Sequence, residues 1–98
     1  MRANFLIVDP VKDKIAMKAI ASQPRLHLLQ ELVRTPGMNI NALSEASGMP
    51  QSSVSTHIQV LEEAGLVRTE VQRAKKGSQK TTFAIYDEII LAFRSSEE

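Results

Sequence analysis

Cysteine is absent from the chain, which excludes disulfides, thiolate metal ligands and thiol nucleophiles together. Tryptophan is absent too, and aromatic residues make up only 4%, so a core has to be built from Leu, Ile, Val, Ala and Met. Long apolar runs are missing as well. Near the N-terminus only Phe5–Val8 is continuously apolar, far short of a signal-peptide core or a membrane span, so the expectation is a cytoplasmic protein with no membrane partner. No internal repeat or low-complexity linker interrupts the chain. What remains is 98 residues with 43% hydrophobic and 23% charged content, the signature of one globular domain over 1–98.

The net charge of +1 hides a sharp local pattern. Between 41 and 65 the acids Glu45, Glu62 and Glu63 face no base, a sum of −3. Between 68 and 82 the bases Arg68, Arg73, Lys75, Lys76 and Lys80 oppose only Glu70, a sum of +4. Between 87 and 98 Arg94 opposes four acids, again −3. The positive charge is concentrated in one segment.

Breakers and periodicity divide the chain. Residues 1–8 read as an extended arm. Asp9-Pro10 has the form of a helix start, and Val11, Ile15, Ala16, Ala19 and Ile20 continue a helical pattern over 9–21. Ser22 can cap a second helix with Leu26, Leu29, Leu32 and Val33 on its inner face. Pro36-Gly37 ends it, Ile40 forms a short strand, and Asn41 can cap a third helix that closes at Gly48. A fourth helix follows from about Pro50 to Ala64. Helix, glycine-containing turn and helix over 42–65 form a helix-turn-helix. The period then becomes two: 66–73 and 80–86 read as a β-hairpin over 66–86, with "AKKGSQ" as a loop too long for a tight turn. Asp87 can cap a last helix over 87–94. The order α-α-β-α-α-β-β-α, mainly α with a small β-hairpin, is a winged helix-turn-helix.

The fourth helix carries the strongest functional signal. Val54, Ile58 and Leu61 share one face, and Ser52, Ser55, Thr56 and Gln59 lie opposite, with Gln51 beside them. A helix fits the major groove, where short hydroxyls allow close approach, Gln pairs with adenine and the Thr methyl meets thymine. Gln51, Ser52, Ser55, Thr56 and Gln59 are therefore the candidate base readers. The bland alternative is a solvated outer face, but such faces are usually built from Lys, Glu and Arg, and Ser and Thr are poor helix formers. Arg73, Lys75, Lys76 and Lys80 on the hairpin suit DNA phosphates or the minor groove; the alternative there is a solvated loop. Glu62 and Glu63 read as solvated residues beyond the groove.

"PRLHLLQELV", "LSEASGMPQSSVSTHIQVLEEAGLV" and "TTFAIYDEI" resemble the bacterial and archaeal ArsR-type winged-helix transcriptional regulators over roughly 22–93, most specifically in "VSTHIQVLEEAGLV". The resemblance implies double-stranded DNA as partner. It places His57 near the DNA backbone, although a partly buried structural histidine is an equal reading of His57, and Ser53 is a further backbone candidate. It also implies pairing of the first and last helices across a two-fold axis. The apolar Ile15, Ile89, Ile90 and Phe93 would form that homodimer interface, on a palindromic site. Relatives that sense metals do so through Cys before the recognition helix or Asp and His in the last helix. Neither pattern occurs here, so no metal or cofactor is implied and any small-molecule effector is unspecified. Pro50 departs from the serine cap usual in relatives. The expectation is a dimeric, sequence-specific regulator acting as a repressor by occlusion. Two alternatives stand beside it: a winged helix used for protein–protein assembly, and the DNA-binding portion of a longer regulator. No nucleophile–base pair, carboxylate pair or metal cluster supports an enzyme.

Overall fold

The computed structural model describes residues 4–74 and 77–93. Lys75, Lys76 and Arg94 lie outside the described residues. The chain runs β1 (Phe5–Val8), α1 (Lys14–Ile20), α2 (Gln23–Arg34), β2 (Met38–Asn39), α3 (Ile40–Ser47), α4 (Gln51–Glu63), β3 (Val67–Ala74), β4 (Gly77–Ala84) and β5 (Glu88–Leu91). Two small sheets form: a parallel pair β1-β5 and an antiparallel sheet in the order β2-β4-β3.

The helices pack around one aliphatic core. Ala19 of α1, Leu28 and Leu32 of α2, Leu43 of α3, Val54, Ile58 and Leu61 of α4, and Leu66 and Val67 leading into β3 are buried together. The recurrence of Val54, Ile58 and Leu61 at four- and three-residue steps turns one side of α4 inward along its length. Each buried leucine or isoleucine contributes about 1.5–3 kcal/mol of burial, which fixes α4 against the bundle by one face and leaves the opposite face to solvent.

Capping explains where the helices begin. Ser22 Oγ accepts from Arg25 N at 3.4 Å at the start of α2, with proline in the first turn. For α3 the cap is Asn39, whose Oδ1 accepts from Ala42 N at 2.7 Å, not the expected Asn41. Ile40 is consequently inside α3 and the short strand falls on Met38–Asn39. Gly48 adopts the left-handed conformation at φ 77°, and residues 48–50 turn the chain into α4, which has no side-chain cap at Pro50.

The first and last helices differ from expectation. Asp9-Pro10 does not open α1: Asp9 Oδ1 accepts from Val11 N and Lys12 N at 2.9 and 3.2 Å, forming a local Asx turn, and the helix begins at Lys14. Asp9 caps only the single turn closed by Asp13 N donating to the Asp9 carbonyl at 2.8 Å, which stops short of α1. The expected helix over 87–94 is instead strand β5 over Glu88–Leu91. It pairs in parallel with β1 in the register Phe5↔Glu88, Leu6↔Ile89, Ile7↔Ile90 and Val8↔Leu91. Four residues with two isoleucines make a poor helix nucleus, whereas the open edge of "FLIV" supplies a ladder. Asp87, read as a helix cap, donates its backbone N–H to the Asn4 carbonyl at 2.6 Å. The arm is thus partly a strand, with Val8 buried at 1% exposure.

The hairpin also departs from its expected loop. Its ladder extends to Arg73↔Ser78 and Ala74↔Gly77, so only positions 75 and 76 separate the paired strands. Ser78 and Gln79 have weak strand propensity, but cross-strand pairing overrides it.

Candidate nucleic-acid interface

The outer face of α4 is built as the periodicity requires. Gln51, Ser52, Ser55, Thr56 and Gln59 are exposed, while Ser53 and His57 are half-buried at its flank. No lysine or arginine occurs between 51 and 63. The helix N-terminus, with its unpaired amides, lies beside the same polar residues.

Two of these side chains are already oriented. Thr56 Oγ1 donates to the Ser52 carbonyl at 3.1 Å, which leaves its lone pairs and methyl group for a partner. Gln51 Nε2 donates to Asn41 Oδ1 of α3 at 2.9 Å. One amide proton of Gln51 is thereby used, and the other remains beside the acceptor Oε1. That donor–acceptor pair is what adenine N7 and N6 require. Asn41 is not the cap the sequence predicts; it sits beside α4.

A cleft of about 60 Å³ joins Ser55 and Gln59 to Lys80 and Thr82 of β4 and to Glu62, bringing Lys80 to the side of the recognition helix. Thr82 lines this cleft, and its buried hydroxyl has no hydrogen-bond partner among the described residues. Glu62 is not merely solvated: its carboxylate accepts from Thr69 Oγ1 at 2.8 Å, tying the end of α4 to β3. Arg73 and Lys80 are exposed on the hairpin. Arg68 is committed elsewhere, paired with Glu70 and stacked on the Phe83 ring at 4.3 Å. That pair cancels within the segment, so its +4 rests on Arg73, Lys75, Lys76 and Lys80.

His57 joins a network that sequence reasoning missed. Arg25 Nη1 lies 3.2 Å from His57 Nδ1, while Arg25 Nε and Nη2 donate to the carbonyls of Ala19 and Lys18 at 2.7 and 3.1 Å. Burial, and secondarily the Arg25 charge, lower the His57 pKa below its ordinary 6.5. A signal existed in the sequence: a base in the first turn of α2 opposes the helix dipole, so Arg25 needed another partner.

Of the expected dimer residues, Ile15 and Phe93 are 70% and 77% exposed and Ile90 is 44% exposed. Ile89 instead packs against the core. Phe5 and Ile7 of β1 are also exposed, on the same face of the ribbon as Ile90 by the pairing register.

Helix-turn-helix followed by a two-stranded wing defines the class, a winged helix-turn-helix. Residues 22–68 match the family described as winged helix-turn-helix DNA-binding. Among solved structures it is similar to NolR from Sinorhizobium fredii, at 29% identity over 82% of this chain and 81% of that one, with a TM-score of 0.62. It is similar also to reduced HlyU from Vibrio cholerae, at 27% identity over 76% and 73% with a TM-score of 0.63. A third is a homodimeric winged helix-turn-helix DNA-binding domain, fragment 1–100, from Mycobacterium bovis, of a possible ArsR-family transcriptional regulator. It shares 24% identity over 72% of this chain and 61% of that chain, with a TM-score of 0.63. The resemblance to ArsR-type regulators thus extends to the fold. No curated protein sequence matches the chain.

Proposed function

We propose that the chain is a sequence-specific, DNA-binding transcriptional regulator of the ArsR type, acting in the cytoplasm as a homodimeric repressor on a palindromic site. The observation that carries this reading is the uncharged, exposed face of α4 beside a wing that bears Arg73 and Lys80. Gln51, Ser52, Ser55, Thr56 and Gln59 read base edges in the major groove, and Ser53 and His57 meet the backbone. Arg73 and Lys80, with Lys75 and Lys76, hold phosphates or the adjacent minor groove. The role is binding, not catalysis. The exposed Ile15, Ile90 and Phe93 support assembly with a second copy.

The division of labour is testable by titrating DNA over a range of salt. Arg73→Ala and Lys80→Ala should weaken binding to every sequence and reduce the slope of log affinity against log salt by about 0.9 per lost phosphate contact. Gln51→Ala and Thr56→Ala should leave that slope in place and change which bases are preferred, by about 1–3 kcal/mol per contact. Uniform loss on all sequences in both sets would defeat the assignment.

A further inference from the structure

We propose that Arg25 is a positioning residue for DNA binding: it holds the His57 ring of the recognition helix so that its Nε2–H, and not Nδ1, faces the DNA backbone. This rests on the DNA-binding reading above and adds a residue outside the helix-turn-helix to it.

A guanidinium has only donors. The 3.2 Å contact between Arg25 Nη1 and His57 Nδ1 therefore requires a lone pair on Nδ1, and a neutral ring with that lone pair carries its proton on Nε2. Both the tautomer and the ring orientation follow from one partner. Arg25 itself is anchored, because Nε and Nη2 are held by the Ala19 and Lys18 carbonyls at 2.7 and 3.1 Å. Those carbonyls belong to the last turn of α1 and lack partners within that helix. The fork is thus a fixed frame built on α1 and α2, with its remaining arm on α4. His57 also lines an open cleft of about 320 Å³ with Ser52, Ser53 and Thr56. The cleft offers hydroxyls and one imidazole N–H, a set of neutral groups suited to a phosphate oxygen at the first turns of a helix. A neutral donor gives direction to the contact without adding charge.

A purely structural role is the competing account: Arg25 would cap α1, and His57 would merely touch it. The two separate in a double-mutant cycle. Arg25→Met in the parent chain should lower affinity for a selected DNA site about fivefold, the worth of one hydrogen bond. In a His57→Gln background, which has no ring to orient, the same change should alter affinity by less than about twofold. Nitrogen-15 spectra of the imidazole give an independent readout: the Nε2–H form alone in the parent chain, and an added Nδ1–H form in Arg25→Met. Arg25→Lys guards against loss of the fold, since it keeps a cation at the end of α1 but cannot fork. It should melt with the parent chain and still show the mixed tautomers. Additive effects in the cycle, or an unchanged imidazole spectrum in both Arg25 variants, overturn the proposal while leaving DNA binding intact. A parent chain with no salt-sensitive DNA affinity overturns both readings together.

Discussion

At the scale of single residues, His57 links folding to protons. Its folded pKa lies below the 6.5 of the unfolded chain, from burial first and Arg25 second, so the unfolded state takes up the proton first as pH falls. The stabilisation is complete well above 6.5 and is lost as pH falls through 6.5 towards the folded value, below which it levels off. Urea midpoints should therefore drop between about pH 7.5 and about pH 5.5, and His57→Gln should remove that part of the slope. Asn41 gives a second residue-scale expectation. Without its acceptor at 2.9 Å the Gln51 amide rotates freely, so Asn41→Ala should blur the base preference at one position by about fivefold, as read from binding to a randomised site, with no change in salt slope. Neither role could be read from composition. Asn41 sits where a cap is equally plausible, and a side chain shared between helices leaves no periodic trace. Arg25 did leave one, as a base at the wrong end of a helix dipole.

At the scale of elements, the wing and helix bundle meet at Gly37. Its φ of 83° is unfavourable for other residues, and an added Cβ would lie 3.2 Å from the Phe83 ring, whose centroid lies 4.3 Å from the Arg68 guanidinium carbon. Gly37→Ala should cost about 1–3 kcal/mol in chemical denaturation, with a loosened β4 in hydrogen exchange. The same scale shows what a sequence can and cannot record. The recurrence of Val54, Ile58 and Leu61 carries the inner face of α4 on its own, and Gly48 with φ 77° marks the turn before it. "EIIL" carries no such record, because a short apolar run fits a strand or a helix turn equally. Its state is decided by Leu6 and Ile7 at the other end of the chain, opposite Ile89 and Ile90. Polar "GSQ" reads as loop for the same reason: its strand is imposed by the partner residues Gln72 to Ala74. Local patterns were legible and long-range pairings were not.

At the scale of the molecule, DNA affinity and self-association should be coupled. Exposed Phe5, Ile7, Ile15, Ile90 and Phe93 are costly to leave in water, and a second copy related by a two-fold axis would cover the same patch on both partners. Ile15→Asp lies on a 70% exposed position, so the fold should survive it. Sedimentation should then show a shift to monomer, and affinity for a two-half-site DNA should fall by about tenfold or more while a single half-site is bound as before.

The parallel ribbon has a further, mechanical consequence. Because β1 and β5 run in the same direction, the chain enters β1 at one end of the ribbon and leaves β5 at the other. Tension applied along the polypeptide through these two strands slides them past each other, and the evenly spaced bonds of a parallel pair share the load. An antiparallel pair held at adjacent ends would peel one bond at a time. Force on the chain is thus resisted first by two strands that close the bundle, and the helices between them stay folded until that clasp yields.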